Sequence, residues 1–335
     1  MAGIIGEGQQ LRGIQLPIQS KSPTFVQPWE KDATAADLGR IARAADESRL
    51  GYVAVCDHVA VPAAANMSSV WYDTVATLGW LAGQCPNVWL LSHVYVVGYR
   101  HPLQSAKSFA TLDALSGGRV IMGVGAGHLE GEFRALGADF GGRGAALEEA
   151  IAAIRSVFAS DPAGPDEPVD AAAAVTLDGE RWAAPDVRVA PRPARPGGPP
   201  IWVGGSSPAA IRRAAQLGDG WLPQGPPKDG LRPGLERLRR LRDEAGLADV
   251  AFDVGVNCEP IRLGTPMDGQ PSFVLGGPPD RVAERLARYE RYGINQLQLS
   301  FLATSVEDYC DQLARFGADV APLLPPQPAT IPEPE

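Results

Sequence analysis

The chain has 335 residues, of which 45% are hydrophobic and 7% aromatic, and it carries a formal net charge of −9 at pH 7. This composition is that of an ordinary soluble globular protein with enough apolar residues for a full core. The acidic net charge argues against nucleic acid or an anionic membrane surface as the main partner. The sequence contains no run of about 18 apolar residues, the length that would predict a membrane span.

The sequence also favours one cellular compartment. Its N-terminal residues lack the basic region and long apolar core of a secretory signal. The four cysteines are far apart and form no C-x-x-C pair, which is typical of reduced cytosolic thiols rather than of a disulfide framework or a zinc site. We therefore expect a cytoplasmic protein that binds a small molecule. An anionic ligand is compatible with the net charge, because a helix N-terminus can bind it locally.

Strand-like runs and amphipathic helices alternate along most of the chain. The predicted strands, in chain order, cover residues 14–16, 52–55, 88–97, 120–124, 201–203, 220–222, 252–256 and 296–301. The predicted helices cover residues 38–45, 71–83, 102–116, 143–158, a segment from 208, 231–244, 282–289 and 306–316. Eight strands separated by helices are the pattern of an α/β protein with a (β/α)₈ TIM barrel.

Two segments depart from this pattern. Residues 160–200 are rich in Pro, Ala, Asp and Gly, with a hairpin-like fragment at 175–189, and we interpret them as an insertion over the barrel mouth. Residues 325–335 form a polar, Pro-rich tail that we expect to be disordered. A single barrel domain is therefore predicted over residues 1–324.

Three of the four histidines lie at or near the carboxyl ends of neighbouring predicted strands, where barrels place their ligands. They are His58, His93 and His128. A hydrogen-bonded structural role is the alternative for each of them. We favour a catalytic role for His58, because it follows Asp57 in the turn that leaves the second strand. A metal site formed by the three is a further alternative, although the chain has neither an H-x-H nor an H-E-x-x-H motif.

Two glycine-rich loops follow predicted strands. The first runs from Gly123 to Gly127 and contains Gly125, Ala126 and Gly127. Its G-x-G-x-G spacing is not a dinucleotide fingerprint, and it is better interpreted as a flat surface for a planar ligand. The second, Gly204-Gly205-Ser206-Ser207, precedes Pro208 and opens a helix, with Ser207 as N-cap. This loop predicts a phosphate site, and the alternative is a simple strand-to-helix turn.

Four motifs together resemble the bacterial luciferase-like superfamily, and most closely its members that use the deazaflavin coenzyme F420. They are Asp57-His58, Arg-His-Pro at 100–102, the segment 111–133, and PPIWVGGSS at 199–207. The resemblance covers most of residues 11–320. It implies a (β/α)₈ barrel with the cofactor ring in the barrel mouth and its phosphate in a late loop, and it suggests a homodimer.

The resemblance also implies roles for individual residues. Asp57 and His58 match the family's Asp-His pair, with His58 as acid or base beside the ring and Asp57 as the candidate acceptor that fixes its tautomer. Ser92 and His93 match the position of a non-proline cis peptide. The remaining cofactor-binding matches are Gly125, Ala126, Gly127 and His128 beside the ring, and Gly204, Gly205, Ser206 and Ser207 around the phosphate. The family's sugar-phosphate dehydrogenases have Glu where His128 stands and Trp where Pro62 stands.

The expected activity is therefore hydride transfer between C5 of F420 and a small organic substrate. Three alternatives stay open at this point. They are a luciferase-like monooxygenase that uses FMN, a non-catalytic barrel that binds flavin or deazaflavin, and a metal-dependent hydrolase.

Overall fold

A computed structural model describes residues 3–22, 26–164 and 166–330, and in it eight parallel strands close into a barrel. The strands are β1 Leu11–Gln15, β2 Tyr52–Val55, β3 Trp89–Ser92, β4 Val120–Gly125, β5 Ile201–Gly204, β6 Gly220–Leu222, β7 Asp253–Asn257 and β8 Gln296–Leu299. Strand β8 pairs with β1, where Leu11 lies opposite Gln296, so the ring of strands is complete. The predicted (β/α)₈ barrel is confirmed.

Helices follow the strands and surround the barrel. Those of the described residues are α1 Ala35–Glu47, α2 Thr74–Ala82, α3 Pro102–Ser116, α4 Glu130–Ala135, α5 Arg143–Phe158, α6 Pro208–Leu217, α7 Leu231–Glu244, α8 Pro279–Ala287 and α9 Val306–Arg315. Helices α3, α5 and α7 have the predicted bounds. Helix α2 begins later than predicted, because Asp73 is its N-cap and accepts a hydrogen bond from the Ala76 amide at 2.8 Å. Helix α4 was not predicted.

Capping fixes the loops at the carboxyl ends of the strands. Helix α3 begins at Pro102, and the His101 ring accepts a hydrogen bond from the Leu103 amide. Helix α6 begins at Pro208, and Ser207 Oγ accepts from the Ala210 amide at 3.2 Å. These caps decide where each loop ends and the helix starts, so the segments that precede them are held at the barrel mouth.

The opposite end of the barrel is closed by both chain termini. Asp253 accepts hydrogen bonds from the Ile4 and Ile5 amides. The Arg12 side chain donates to the Pro325 carbonyl at 2.7 Å, and the Arg12 amide donates to Gln327. Residues 325–330 therefore pack against the barrel, which differs from the predicted disorder, because their polar groups pair with the start of β1. Residues 331–335 of the predicted tail lie outside the described residues.

The segment 160–200 contains the predicted hairpin, with strands Val175–Asp178 and Ala183–Val187. Its turn is held by Glu149 of α5, which accepts from the Trp182 amide at 2.9 Å, and the Trp182 ring contacts His101. Within the described part of this segment, no residue lines the cavities at the barrel mouth. The segment 160–200 packs on the outer faces of α3 and α5. This placement differs from the predicted position over the barrel mouth.

Two interior regions support the barrel. One fills the space between the strands and the helices, and the other fills the barrel itself with large side chains that include Tyr52, Trp89 and Trp202. Within the ranges that the structure describes, no helix combines the length and the apolar character needed to cross a membrane.

Arg119 lies at the amino ends of the strands, where it directly precedes β4. Its buried guanidinium donates to the carbonyls of Ala82, Cys85, Val88 and Ser116, at 2.7 to 2.8 Å. We expect Arg119→Met to lower the free energy of unfolding by about 3 kcal/mol or more, because each buried carbonyl left without a donor costs about 1–3 kcal/mol. Urea denaturation measures the change. The control is Arg134→Met, whose side chain is 77% exposed; an equal effect of both substitutions would contradict the anchoring role.

Candidate active site

Two cavities meet at the carboxyl ends of the strands. The first, of about 560 Å³, lies beside β3, β4 and β5. The second, of about 570 Å³, lies beside β1, β7 and β8. Both are lined by the same four residues where they meet: Cys56, His58, His128 and Gln224. A ligand in one cavity and a ligand in the other would therefore both lie next to His58.

His58 is held by a carboxylate that the sequence analysis did not identify. Glu132 of α4 is fully buried, and its Oε2 lies 2.9 Å from His58 Nδ1. The same carboxylate accepts from the Tyr99 hydroxyl at 2.9 Å, from the Ala60 amide at 2.9 Å and from the Val59 amide. Burial alone would raise the pKa of Glu132, but hydrogen bonds, first among them that of His58, lower this pKa to about 2.

The ionised Glu132 determines which ring nitrogen of His58 carries a proton. Because Nδ1 faces a carboxylate, we assign the proton to Nδ1. Nε2 is then the nitrogen that can accept a proton from a ligand or return it. The Trp71 ring lies 4.4 Å from the His58 ring, centroid to centroid, and covers part of it.

Asp57 has a different partner from the one expected. Its two oxygens accept from the Arg100 guanidinium at 2.7 and 2.9 Å, and Oδ2 also accepts from the Val96 amide at 2.8 Å. The expectation that Asp57 fixes the His58 tautomer is corrected, because Glu132 occupies that position. Asp57 instead holds the Arg-His-Pro motif against the strand end, while it contributes to the wall of the first cavity.

The cis peptide lies one residue later than expected. It joins His93 and Val94, whereas the expected position was Ser92–His93. Ser92 is completely buried, its Oγ donates to the Gly123 carbonyl at 2.8 Å, and it is not among the residues that line the first cavity. His93 and Val94 do line that cavity, so the cofactor-binding assignment fits His93 better than Ser92.

The surroundings of His93 and His128 disfavour the protonated form of both rings. Burial lowers the pKa of His93 to about 4. The pKa of His128 is also lowered, mainly by burial and then by its neighbour His58; the two rings are 5.7 Å apart. Among the described residues, no group of three or more His, Cys, Asp or Glu side chains is arranged to hold a metal ion.

A glycine-lined wall forms one side of the first cavity. Gly125, Ala126, Gly127 and His128 all line it. A Cβ atom at Gly125 would lie 2.6 Å from Val94 Cγ2, and one at Gly204 would lie 2.7 Å from Val94 Cγ1. Only glycine fits beside Val94 at these two positions. These glycines line the cavity with backbone, and their contact with a planar ligand stays a prediction.

The other side of the first cavity is built to attract an anion. The N-termini of α5 and α6 both open onto it, through Gly144 and Ala209 among others, as do Gly205 and Ser207. The first amides of a helix have no partner within the helix and lie at its positive end. Ser206 does not line this cavity; its hydroxyl donates to the Gly225 carbonyl.

Two arginines that the sequence analysis missed lie at the same place. Arg143, the first residue of α5, donates to the Gly127 carbonyl at 3.3 Å, and Arg213 donates to Glu148 at 2.8 Å; both line the first cavity. A cation at a helix N-terminus is unfavourable unless an anion accompanies it. The position of Arg143 at a predicted helix start was therefore a signal that could have been used.

Known proteins are similar to this chain. It is 35% identical over 147 residues to an uncharacterized protein of Mycobacterium tuberculosis, a match that spans 44% of this chain and less than half of that protein, 46%. It is 28% identical to a protein of Kineococcus radiotolerans named F420-dependent glucose-6-phosphate dehydrogenase, over 86% of this chain and 93% of that protein.

The fold is shared with a solved structure at low identity. This is the oxygenating constituent of the 3,6-diketocamphane monooxygenase of Pseudomonas putida in complex with FMN, with a TM-score of 0.69 at 16% identity, over 95% of this chain and 100% of that one. The family model described as luciferase-like monooxygenase matches residues 16–262. This match covers more than half of the chain and confirms the family predicted from the motifs: the chain belongs to the luciferase-like monooxygenase family.

Proposed function

We propose that this protein is an F420-dependent oxidoreductase that transfers a hydride between C5 of the deazaflavin and a small organic substrate, with His58 as acid or base. The observation that carries the proposal is the first cavity, whose glycine wall and positively charged end meet beside a histidine held by a buried carboxylate. A relative that is similar over most of its length is named as an F420-dependent enzyme.

The residues present fit a cofactor with a flat ring and a phosphate. Gly125, Gly127 and Gly204 would hold the ring, because they offer backbone without side chains beside Val94. The N-termini of α5 and α6 would hold the phosphate, together with Arg143 and Arg213. When bound, the cofactor supplies the hydride chemistry, and the protein supplies orientation and proton transfer.

His58 is the group that we assign to proton transfer. Glu132 holds Nδ1 in its protonated form, which leaves Nε2 as the basic atom at the boundary between the two cavities. A substrate hydroxyl would lose its proton to Nε2 as its carbon loses a hydride. In the reverse direction, the protonated His58 would return the proton, and the Glu132 carboxylate would stabilise the imidazolium.

The second candidate is a monooxygenase that uses FMN, and it is favoured by the description of the family. The same glycine wall and phosphate site would serve FMN, whose ring and phosphate resemble those of F420. F420 differs because it carries further carboxylates beyond its phosphate. Arg143 in the lining of this cavity is the cation that these carboxylates would meet, whereas the charge of Arg213 is shared with Glu148.

A binding titration tests the proposal. The purified protein is titrated with F420 and, separately, with FMN, and cofactor fluorescence is recorded. We expect F420 to bind at least tenfold more tightly. Tighter binding of FMN, followed by substrate-dependent oxygen uptake with reduced FMN, would replace this proposal by the monooxygenase. Tight F420 binding without oxidation or reduction of any substrate would favour a non-catalytic barrel.

Arg213 provides a second test. We expect Arg213→Ala to weaken F420 binding about tenfold or more, because a hydrogen bond to a charged group contributes about 1.5–3 kcal/mol. The measurement is the same titration at low and high salt, and the loss should shrink at high salt. The control is Arg240→Ala on α7, an arginine with a 65% exposed side chain. Equal affinities of the wild type and Arg213→Ala would remove Arg213 from the cofactor site.

A further inference from the structure

We propose that the second cavity binds an uncharged, largely apolar substrate that carries a hydroxyl or carbonyl group, and that it disfavours phosphorylated and carboxylated substrates. This inference rests on the proposed function, because it assigns the first cavity to the cofactor and the second to the substrate. It departs from what the name of the Kineococcus radiotolerans relative would suggest, since glucose 6-phosphate is an anion.

The two cavities differ in the charged side chains that line them. Among the described residues that line the second cavity, none is Lys or Arg, whereas the first cavity has Arg143 and Arg213. The second cavity does contain a carboxyl group, Glu30, which is 3% exposed and accepts hydrogen bonds from the Ile18 and Gln27 amides. A phosphate in this cavity would face a carboxyl group without a cation to compensate it.

Two cations near the lining, Lys21 and Arg262, are engaged elsewhere, and Lys31, which follows Glu30, lies 3.9 Å from Asp32 with its side chain 73% exposed. Lys21 donates to the carbonyls of Lys31 and Ala33, at 2.7 Å each. Arg262 pairs with Asp308 at 2.6 Å. These contacts use the charged ends of both side chains, so neither is positioned to neutralise an anionic substrate.

The two histidines at the boundary do not replace a cation. His58 faces the Glu132 carboxylate, so even its protonated form is neutralised by its partner. His128 is disfavoured as a cation by burial and by the neighbouring His58. The side chains at the barrel mouth therefore favour an anionic cofactor in the first cavity and a neutral molecule in the second.

The lining of the second cavity combines apolar side chains with amide side chains. Large apolar side chains form much of the lining, among them Leu16, Trp71, Leu299 and Phe301. Amide side chains lie beside them: Gln15 donates to Cys56 Sγ at 2.9 Å, and Gln298 donates to Gln15 at 3.3 Å. Gln298 Oε1 is buried and interacts with the His93 ring, so His58 Nε2 is the polar atom that we assign to the substrate oxygen.

The chemistry agrees with this polarity. A bound cofactor would supply the acceptor for the hydride of an alcohol carbon, and the hydroxyl oxygen of the alcohol would lose its proton to His58 Nε2. The product is a ketone or an aldehyde. No charged group is formed on the substrate by the completed step, so a lining without cations suits the substrate and the product equally.

The experiment compares two probes of nearly the same shape. Cyclohexanone and cyclohexyl phosphate are titrated into the full-length protein, with and without F420, and tryptophan fluorescence and thermal stability are recorded. We expect saturable binding of cyclohexanone, at least tenfold tighter than that of cyclohexyl phosphate when F420 is present. Tighter binding of cyclohexyl phosphate, or no saturable binding of cyclohexanone, would overturn the proposal.

A charge substitution makes the test specific to this cavity. Ser300 lines the second cavity and is exposed, and we expect Ser300→Lys to shift the ratio of the two affinities toward cyclohexyl phosphate by about tenfold. The control is Ser272→Lys, which is exposed and lies outside this cavity; the ratio should stay unchanged. An equal shift in both variants would overturn the assignment of the probes to the second cavity.

Turnover provides the last readout. With bound F420, cyclohexanol should be oxidised with a kcat/KM at least a hundredfold above that for glucose 6-phosphate. Comparable turnover of glucose 6-phosphate would overturn the substrate class while leaving the proposed F420 activity intact. Failure of F420 to bind would instead reject the proposed function, while the preference for the neutral probe without F420 would still be measured.

Discussion

His58→Ala should lower kcat by about a hundredfold or more, because general acid–base catalysis contributes about 10²–10⁴-fold to a rate. The F420 affinity should change little, since the positively charged end of the first cavity does not depend on this side chain. Stopped-flow absorbance of F420, with the binding titration in parallel, separates the two effects. His58→Asn is the second variant, because its amide can still donate to Glu132 and so keeps that carboxylate paired.

A histidine outside the cavities serves as the control for this prediction. His101 caps α3 and is absent from the lining of both cavities, and His101→Asn retains a side chain that can cap the helix. Its kcat should stay within about threefold of the wild type. Turnover by His58→Ala at the wild-type rate, with F420 still bound, would reject the role of His58 in proton transfer.

The fold was predictable because its signals are local. Short apolar runs predicted the eight strands, and the helix starts at Pro102 and Pro208 were visible in the sequence. The ends of α5, Arg143 and Phe158, follow from an apolar face with helical spacing. Helix α4 was not predicted, because Glu130–Ala135 is too short to show helical spacing.

The pairing at the site was not predictable because it joins distant residues. Glu132 lies 74 positions from His58 in the chain, and nothing local indicates that contact. The sequence did show that the family's acid is missing at His128, and the carboxylate that contacts His58 comes from one helical turn further on. Asp57 was predicted to fix the His58 tautomer because the two residues are adjacent. The side chains of adjacent residues at a strand end point in different directions, however.

The position of the segment 160–200 also depends on contacts between residues that are distant in the sequence. The hairpin itself was visible as a local pattern, whereas its placement depends on Glu149 of α5, which accepts from the amides of Arg181 and Trp182. The loop that we propose for the phosphate was predicted from its glycines and from Ser207, which the structure confirms as the N-cap. Its second half, the N-terminus of α5 with Arg143, becomes part of the site only when the barrel closes.

Glu132→Ala should be among the most destabilising substitutions in this protein. The change leaves the partly buried amide of Ala60, the Tyr99 hydroxyl and His58 Nδ1 without their acceptor. Removal of one partner from a buried charged network costs about 3–5 kcal/mol, and urea denaturation near neutral pH would measure it. Glu132→Gln should cost less, because the amide oxygen can still accept from the backbone.

The pH dependence of these stabilities distinguishes the charge of Glu132 from its shape. The folded-state pKa of Glu132 is about 2, below its ordinary value of 4.5. Its contribution to stability is therefore present above pH 4.5 and is lost as the pH falls from 4.5 toward 2. A tenfold change in proton affinity corresponds to about 1.4 kcal/mol. We therefore expect the difference in free energy of unfolding between the wild type and Glu132→Gln to shrink by about 3 kcal/mol across this pH range.

The difference between the two proteins cancels every other carboxyl group, so it reports Glu132 together with the His58 ring that it contacts. A constant difference between pH 6 and pH 2.5 would contradict an ionised Glu132 and would reduce its role to packing. Activity provides the independent readout of its effect on His58. If Glu132 fixes the His58 tautomer, Glu132→Gln should lower kcat and shift the pH profile of kcat, whereas a purely structural role would leave that profile in place.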